Sequence, residues 1–214
     1  CICVCICVYI YVYVYVYIYA MLTSQRSKQN GNLGGMRVVN QAISYEVPQA
    51  FAILSVIMVA GTFNLTEIVH FQQQHLWLVC VQPLAFVIYI ISAVAECNRA
   101  PFDLPEGESE LTAGVFTEYS GMRYALFYLA EYCNMFVAAG LATTLFLGGF
   151  SGPFLPGWLW FILKTFVIMS IFIWVRWTLP RVRADYVLRF CWKLLVPLTL
   201  LNMLVTGVVL YILA

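Results

Sequence analysis

The sequence predicts an all-α, polytopic transmembrane helix bundle of about five spans. Three observations carry that expectation. Of 214 residues, 63% are hydrophobic and 10% charged, whereas a soluble domain is nearer half apolar and a quarter charged. The mean hydropathy is +0.88, which exceeds what a soluble core requires. The apolar residues also gather into runs of about 20, each about 30 Å long as a helix and so able to cross a bilayer. Lipid leaves exposed backbone polar groups unsatisfied, so spans of this kind are helical. A net charge of +1 with no basic stripe argues against a nucleic-acid partner.

Taken in order, residues 1–22 form a low-complexity apolar run, and residues 23–214 form the transmembrane domain. The opening CICVCICVYIYVYVYVYIYA alternates Cys or Tyr with Ile, Val or Ala. That alternation is the translation expected of a dinucleotide repeat. It is therefore read as a gene-boundary artefact, with Met21 or a later residue nearer a true start. Thr23 to Asn40 is polar and rich in Gly, Asn and Gln, and is expected to be a solvated loop. The first span runs from Ala42 to about Phe63, interrupted by Glu46, Pro48 and Gln49. Asn64 to His75 is a short connection. The second span, Leu76 to Ala95, carries Pro83 as a kink. Glu96 to Met122 is a long polar stretch. The third span runs from Arg123 to about Gly148, and the Gly-Pro-rich segment to Gly157 is a turn. The fourth, Trp158 to Leu179, is closed by Pro180. The fifth runs from about Tyr186 to the end, with Pro197 inside it.

Orientation follows from the basic residues. Arg26, Lys28, Arg37, Arg99, Arg123, Arg176, Arg181, Arg183, Arg189 and Lys193 fall in or near the loops of one side, and only Lys164 lies nearer the other. The basic side is therefore cytoplasmic, or matrix-facing in a mitochondrion. The eight cysteines include no CxxC pair and read as small apolar side chains. His70 and His75 read as loop residues without a third ligand, so no metal site is expected.

The chemistry is concentrated in AECNRAPFDLPEGESELTAGVFTEYSGMRYALFYLAEY, Ala95 to Tyr132. Glu96, Asp103, Glu106, Glu108, Glu110 and Glu118 crowd one stretch, with Arg99 as local compensation. Carboxylates this close raise one another's proton affinity, so a cluster beside a membrane can hold and relay protons. The alternative is a solvated helix start, with Pro105 opening a short helix and Glu106 and Glu108 in its first turn. Glu46 and Glu131 are harder to assign to solvent, because each lies inside a span. A charged carboxylate at bilayer depth costs about 3 kcal/mol on insertion scales. Such a residue serves an ion or proton path in a polar interior, or pairs with a cation, for which Arg176 is the best candidate. Tyr45, Tyr119, Tyr124, Tyr128 and Tyr132 read mainly as interfacial belt residues.

That same stretch closely resembles the signature loop of a membrane subunit of respiratory complex I (NADH:quinone oxidoreductase), called subunit 1 in mitochondria and the H subunit in bacteria. Three further pieces match in the same order: ISYEVP at Ile43 to Pro48, FNLTEIV at Phe63 to Val69, and WVRWTLPRVRADYV at Trp174 to Val187. The resemblance covers roughly Asn32 to Ala214. It implies a membrane subunit without a redox centre of its own, in a bacterial inner membrane or, alternatively, a mitochondrial one. Quinone is the implied substrate, and NADH, FMN and iron–sulfur clusters belong to partner subunits. The implied partners are the peripheral-arm quinone-site subunits and the antiporter-like membrane subunits. By motif match, Arg99, Asp103, Glu106, Glu108 and Glu110 line the quinone chamber. Glu46, Glu96, Glu131 and Arg176 match positions on a proton path leading inward.

The sequence departs from the family pattern in places. The family's first three helices have no counterpart, which makes the chain a C-terminal fragment in this reading. Gly107 stands where relatives carry Ala, Trp177 is bulkier than usual, and Tyr186 replaces Gln. Two alternatives stay open: the homologous membrane subunit of an energy-converting hydrogenase or formate hydrogenlyase, and a non-functional truncated gene product. A stand-alone ion carrier or channel is a third class, and it requires transport by the isolated chain.

Overall fold

The computed structural model describes residues 29–74, 76–102, 121–152, 154, 156–182 and 184–213. The described residues are helical, without strands. Helix α1 spans Gln29–Ala60, α2 Leu65–Gln74, α3 Leu78–Val81, α4 Pro83–Glu96, α5 Met122–Phe146, α6 Gly157–Thr178 and α7 Ala184–Phe190. A π-helical turn, Cys191–Leu195, joins α7 to α8, Val196–Leu213. Among the described residues, four stretches are long and apolar enough to cross a membrane: Asn40–Ala60, Tyr128–Phe146, Gly157–Thr178 and Tyr186–Ile212. The protein is a multi-pass membrane protein.

The second expected span is shorter than the sequence suggested. Pro83 lacks an N–H and disfavours helical backbone at the preceding residue. Gln82 accordingly leaves the helix at φ −132° and ψ 65°. What remains is α4, 14 residues and about 21 Å long. Two segments expected as loops are helical over most of their described residues. Helix α1 begins at Gln29 rather than after Asn40, because extending an existing helix adds one hydrogen bond per residue without a new nucleation cost. The connection after Phe63 contains α2. Asn64 caps it, with its side-chain oxygen accepting from Thr66 N–H at 3.3 Å and its amide donating to Glu67 at 3.1 Å.

The long helices alternate in direction. Gln41 meets Ala95 and Ser55 meets Gln82, so α1 and α4 are antiparallel. Tyr89 meets Ala138, and Thr143 meets Thr165, so α5 and α6 continue the alternation. Cys191 reaches Ser44 while Gly207 lies against Met58, so α8 runs parallel to α1. Buried Ala138, Ala139 and Ala142 on α5 let the backbones approach closely. Phe146 fills the remaining space, its ring 5.2 Å from Phe86 and 5.6 Å from Tyr89.

Outward faces are apolar. Trp174, Trp177, Tyr186 and Trp192 are exposed at one end, and Phe63, Leu76, Phe154 and Trp158 at the other. Aromatic residues at both ends fit the two interfaces of a bilayer. Tyr45, expected in such a belt, is instead fully buried and donates to Val187 O at 3.2 Å. Its position on the inward stripe Gln41, Tyr45, Gln49, Ala52 and Val56 places it there. Tyr45→Phe is expected to cost about 1 kcal/mol, the net worth of one hydrogen bond. Thermal unfolding in detergent, with no shift as the contrary result, checks it.

Candidate functional site

The site forms where α4 ends and α5 begins, at the end of the bundle that carries Arg99, Arg176, Arg181, Arg189 and Lys193. On α4, the spacing of Ala85, Tyr89, Ser92 and Glu96 keeps one face buried, and Glu96 ends it only 3% exposed. The chain then turns. Cys97 N–H bonds to Ala93 O, Asn98 N–H to Ala95 O, and Asn98 takes φ 50°. An Asn tolerates this left-handed backbone better than most residues. The turn delivers Arg99, which is 9% exposed.

On α5, Glu131 shares its helix face with Met135, Ala138 and Ala142 at helical spacing, which aims it inward. Arg99 Nε donates to Glu131 Oε1 at 2.6 Å. The guanidinium carbon lies 4.4 Å from the centroid of the Tyr132 ring, a cation–π contact that shields its other face. Among the described residues, the buried Arg99 Nη2 atom has no hydrogen-bond partner. Burial raises the Cys97 thiol well above its ordinary range; Glu96 and Glu131 add to the effect and Arg99 opposes it.

Two other segments pin this turn. Gln41 on α1 donates from one amide nitrogen to Ala95 O at 2.7 Å and to Phe102 O at 2.8 Å. Val182 N–H bonds to Pro101 O at 3.1 Å. Away from the turn, the α1–α4 interface continues polar. Gln49 and Ser92 are buried, and each presents an oxygen without a partner among the described residues, a setting that suits internal water. Farther on, Ser55 Oγ donates to Gln82 Oε1 at 3.0 Å.

Among the sequence candidates, Glu96, Arg99 and Glu131 come together. Glu46 is half-buried on α1, one residue beyond Tyr45. Arg176 is exposed on the last turn of α6. Arg99, not Arg176, supplies the cation for Glu131, because the turn after α4 carries Arg99 under α5 while Arg176 faces outward. Asp103, Glu106, Glu108 and Glu110 lie outside the described residues, as does Glu118. Sequence reasoning missed Gln41 and placed Tyr45 at the interface rather than in the interior. The signal was present as polar residues every fourth position in an apolar helix. It also missed Lys164, a lone lysine within a span.

A multi-pass helical membrane protein with a buried acid–arginine cluster at the basic end of its bundle is the class that these helices and this site define. The chain belongs to the NADH dehydrogenase family, whose sequence model matches residues 2–207. It is 50% identical over 184 residues to the NADH-quinone oxidoreductase H subunit of Carboxydothermus hydrogenoformans, covering 84% of this chain and 52% of that one. To one of the H subunits of Geobacter metallireducens it is 51% identical over 175 residues, covering 82% and 53%. To the H subunit of Anoxybacillus flavithermus it is 52% identical over 181 residues, covering 83% and 54%. The chain thus spans about half the length of these curated relatives.

Proposed function

We propose that this chain acts as a membrane subunit of a proton-pumping NADH:quinone oxidoreductase, in a bacterial inner membrane. In this reading it walls part of the quinone chamber and couples quinone reduction to proton movement. NADH, flavin and iron–sulfur chemistry belong to partner subunits. The peripheral-arm quinone-site subunits and the antiporter-like membrane subunits are the neighbours.

The observation that carries this reading is the Arg99–Glu131 pair beside buried Glu96, at the head of a polar α1–α4 interface. Reducing quinone to quinol takes two electrons and two protons, so charge changes at the chamber wall. A unit charge appearing at about 10 Å in an effective dielectric near 20 is worth about 1.7 kcal/mol, which alters a carboxyl group's proton affinity by about tenfold. Asp103, Glu106, Glu108 and Glu110 are the proposed chamber end. Arg99 sits next to them in sequence. Glu96, Glu131 and Glu46 are the proposed inward path, with Gln49, Tyr89 and Ser92 lining the next stretch. Arg176 joins the path only as a basic residue at its rim.

Glu131→Gln tests the reading. Proton pumping in native membranes is expected to fall roughly a hundredfold or more, the range for losing a proton-transferring side chain, while electron entry from NADH to an artificial acceptor is retained. Full coupled activity in the variant is the contrary result.

A further inference from the structure

We infer that Gln41 is the positioning residue for the Arg99–Glu131 pair, and that it acts by holding the turn from Ala95 to Phe102 closed. The inference rests on the coupling role proposed for that pair. Gln41 is fully buried, and its amide nitrogen donates to the carbonyls of Ala95 at 2.7 Å and Phe102 at 2.8 Å. These two residues bracket Arg99, so one side chain fixes both ends of the segment that presents the guanidinium. Ala95 O lies in the last turn of α4 and also accepts from Asn98 N–H at 3.2 Å, so Gln41 adds a second bond to a carbonyl that the turn already uses. The same helix face anchors a third segment: Tyr45 bonds to Val187 O at 3.2 Å, Cys191 Sγ to Ser44 O at 2.9 Å and Trp192 Nε1 to Ser44 Oγ at 3.2 Å. Helix α1 is therefore a fixed post for the turn, because its other contacts hold it still.

The geometry sets the magnitude. Each bond is worth about 1 kcal/mol net, so losing both favours opening of the turn by roughly 30-fold. Cys97 reports that opening: it is free, lies inside the turn and is 2% exposed. Gln41→Met keeps side-chain length and removes both donors. In native membranes, labelling of Cys97 by a small maleimide, resolved from exposed Cys80 and Cys133 by peptide mapping, is expected to rise about 30-fold. Protons pumped per quinone reduced should fall in the same variant. In an Arg99→Gln background the Gln41→Met change should add no further loss of pumping, because both act through one contact.

Unchanged Cys97 labelling overturns the inference, and so do pumping losses that simply multiply, which is what a merely structural role produces. Should Gln41→Met fail to assemble, Gln41→Asn carries the same expectations, since its amide falls one methylene short of the turn. A labelling increase with full pumping by Arg99→Gln alone upholds the positioning and removes the coupling role instead.

Discussion

Arg99→Leu is expected to destabilise the protein by about 3 kcal/mol, because it breaks a partly buried ion pair at membrane depth by removing one partner. The pair is well enclosed, with side chains 10% and 23% exposed, so water compensates little. Coulomb attraction alone does not explain the pairing, since burying both charges costs much of what their attraction returns. The asymmetry between removing one charge and removing both is the informative quantity. Arg99→Leu/Glu131→Leu is accordingly expected to recover stability to within about 1 kcal/mol of the parent. Pumping should stay lost in both variants. Thermal unfolding in detergent and proton uptake in vesicles separate the two effects. A double variant as unstable as the single one would show that the pair does not act as a unit.

Lys164→Met is expected to have a similar cost from the opposite end of the bundle, about 3 kcal/mol. Lys164 Nζ donates to Leu147 O at 2.7 Å, Gly149 O at 3.3 Å and Ser151 O at 2.7 Å. Those carbonyls close the C-terminal end of α5, where a cation is favoured by the helix dipole. Gly148, at φ 71°, lets the chain fold back so that Gly149 N–H reaches Thr143 O at 2.9 Å. Gln72 covers the adjacent carbonyls of Thr144 and Leu145. Trp77 lies under the ammonium, 5.1 Å from ring centroid to nitrogen. Removing Lys164 strips its three carbonyls together, and methionine offers no donor in exchange. Reduced assembly and a lower unfolding temperature are the measurements. Unimpaired unfolding would mean that water replaces the ammonium at little cost.

Lys164 and Arg99 show where the sequence was readable and where it was not. Spans were legible because hydropathy sums locally, and the α4 break at Pro83 was visible as a kink. Its severity was not, since a proline can bend a helix or end it. Glu131 stood out because an acid in an apolar run has few bland explanations. Its partner did not, because the choice between Arg99 and Arg176 depends on how the turn after α4 folds beneath α5. Gln41 and Lys164 were harder still. Both spend their donors on backbone carbonyls of other segments, and carbonyls carry no residue identity. Asn64 and Glu67, by contrast, spell a helix cap in sequence, yet the segment's glutamines and histidines read as loop.

Redox-induced infrared difference spectroscopy of the assembled enzyme tests the central claim most directly, because carboxyl protonation has its own band. Quinone reduction in the parent should produce a carboxyl signal that is lost in Glu131→Gln and altered in Arg99→Gln. Identical difference spectra in the parent and both variants would contradict the account.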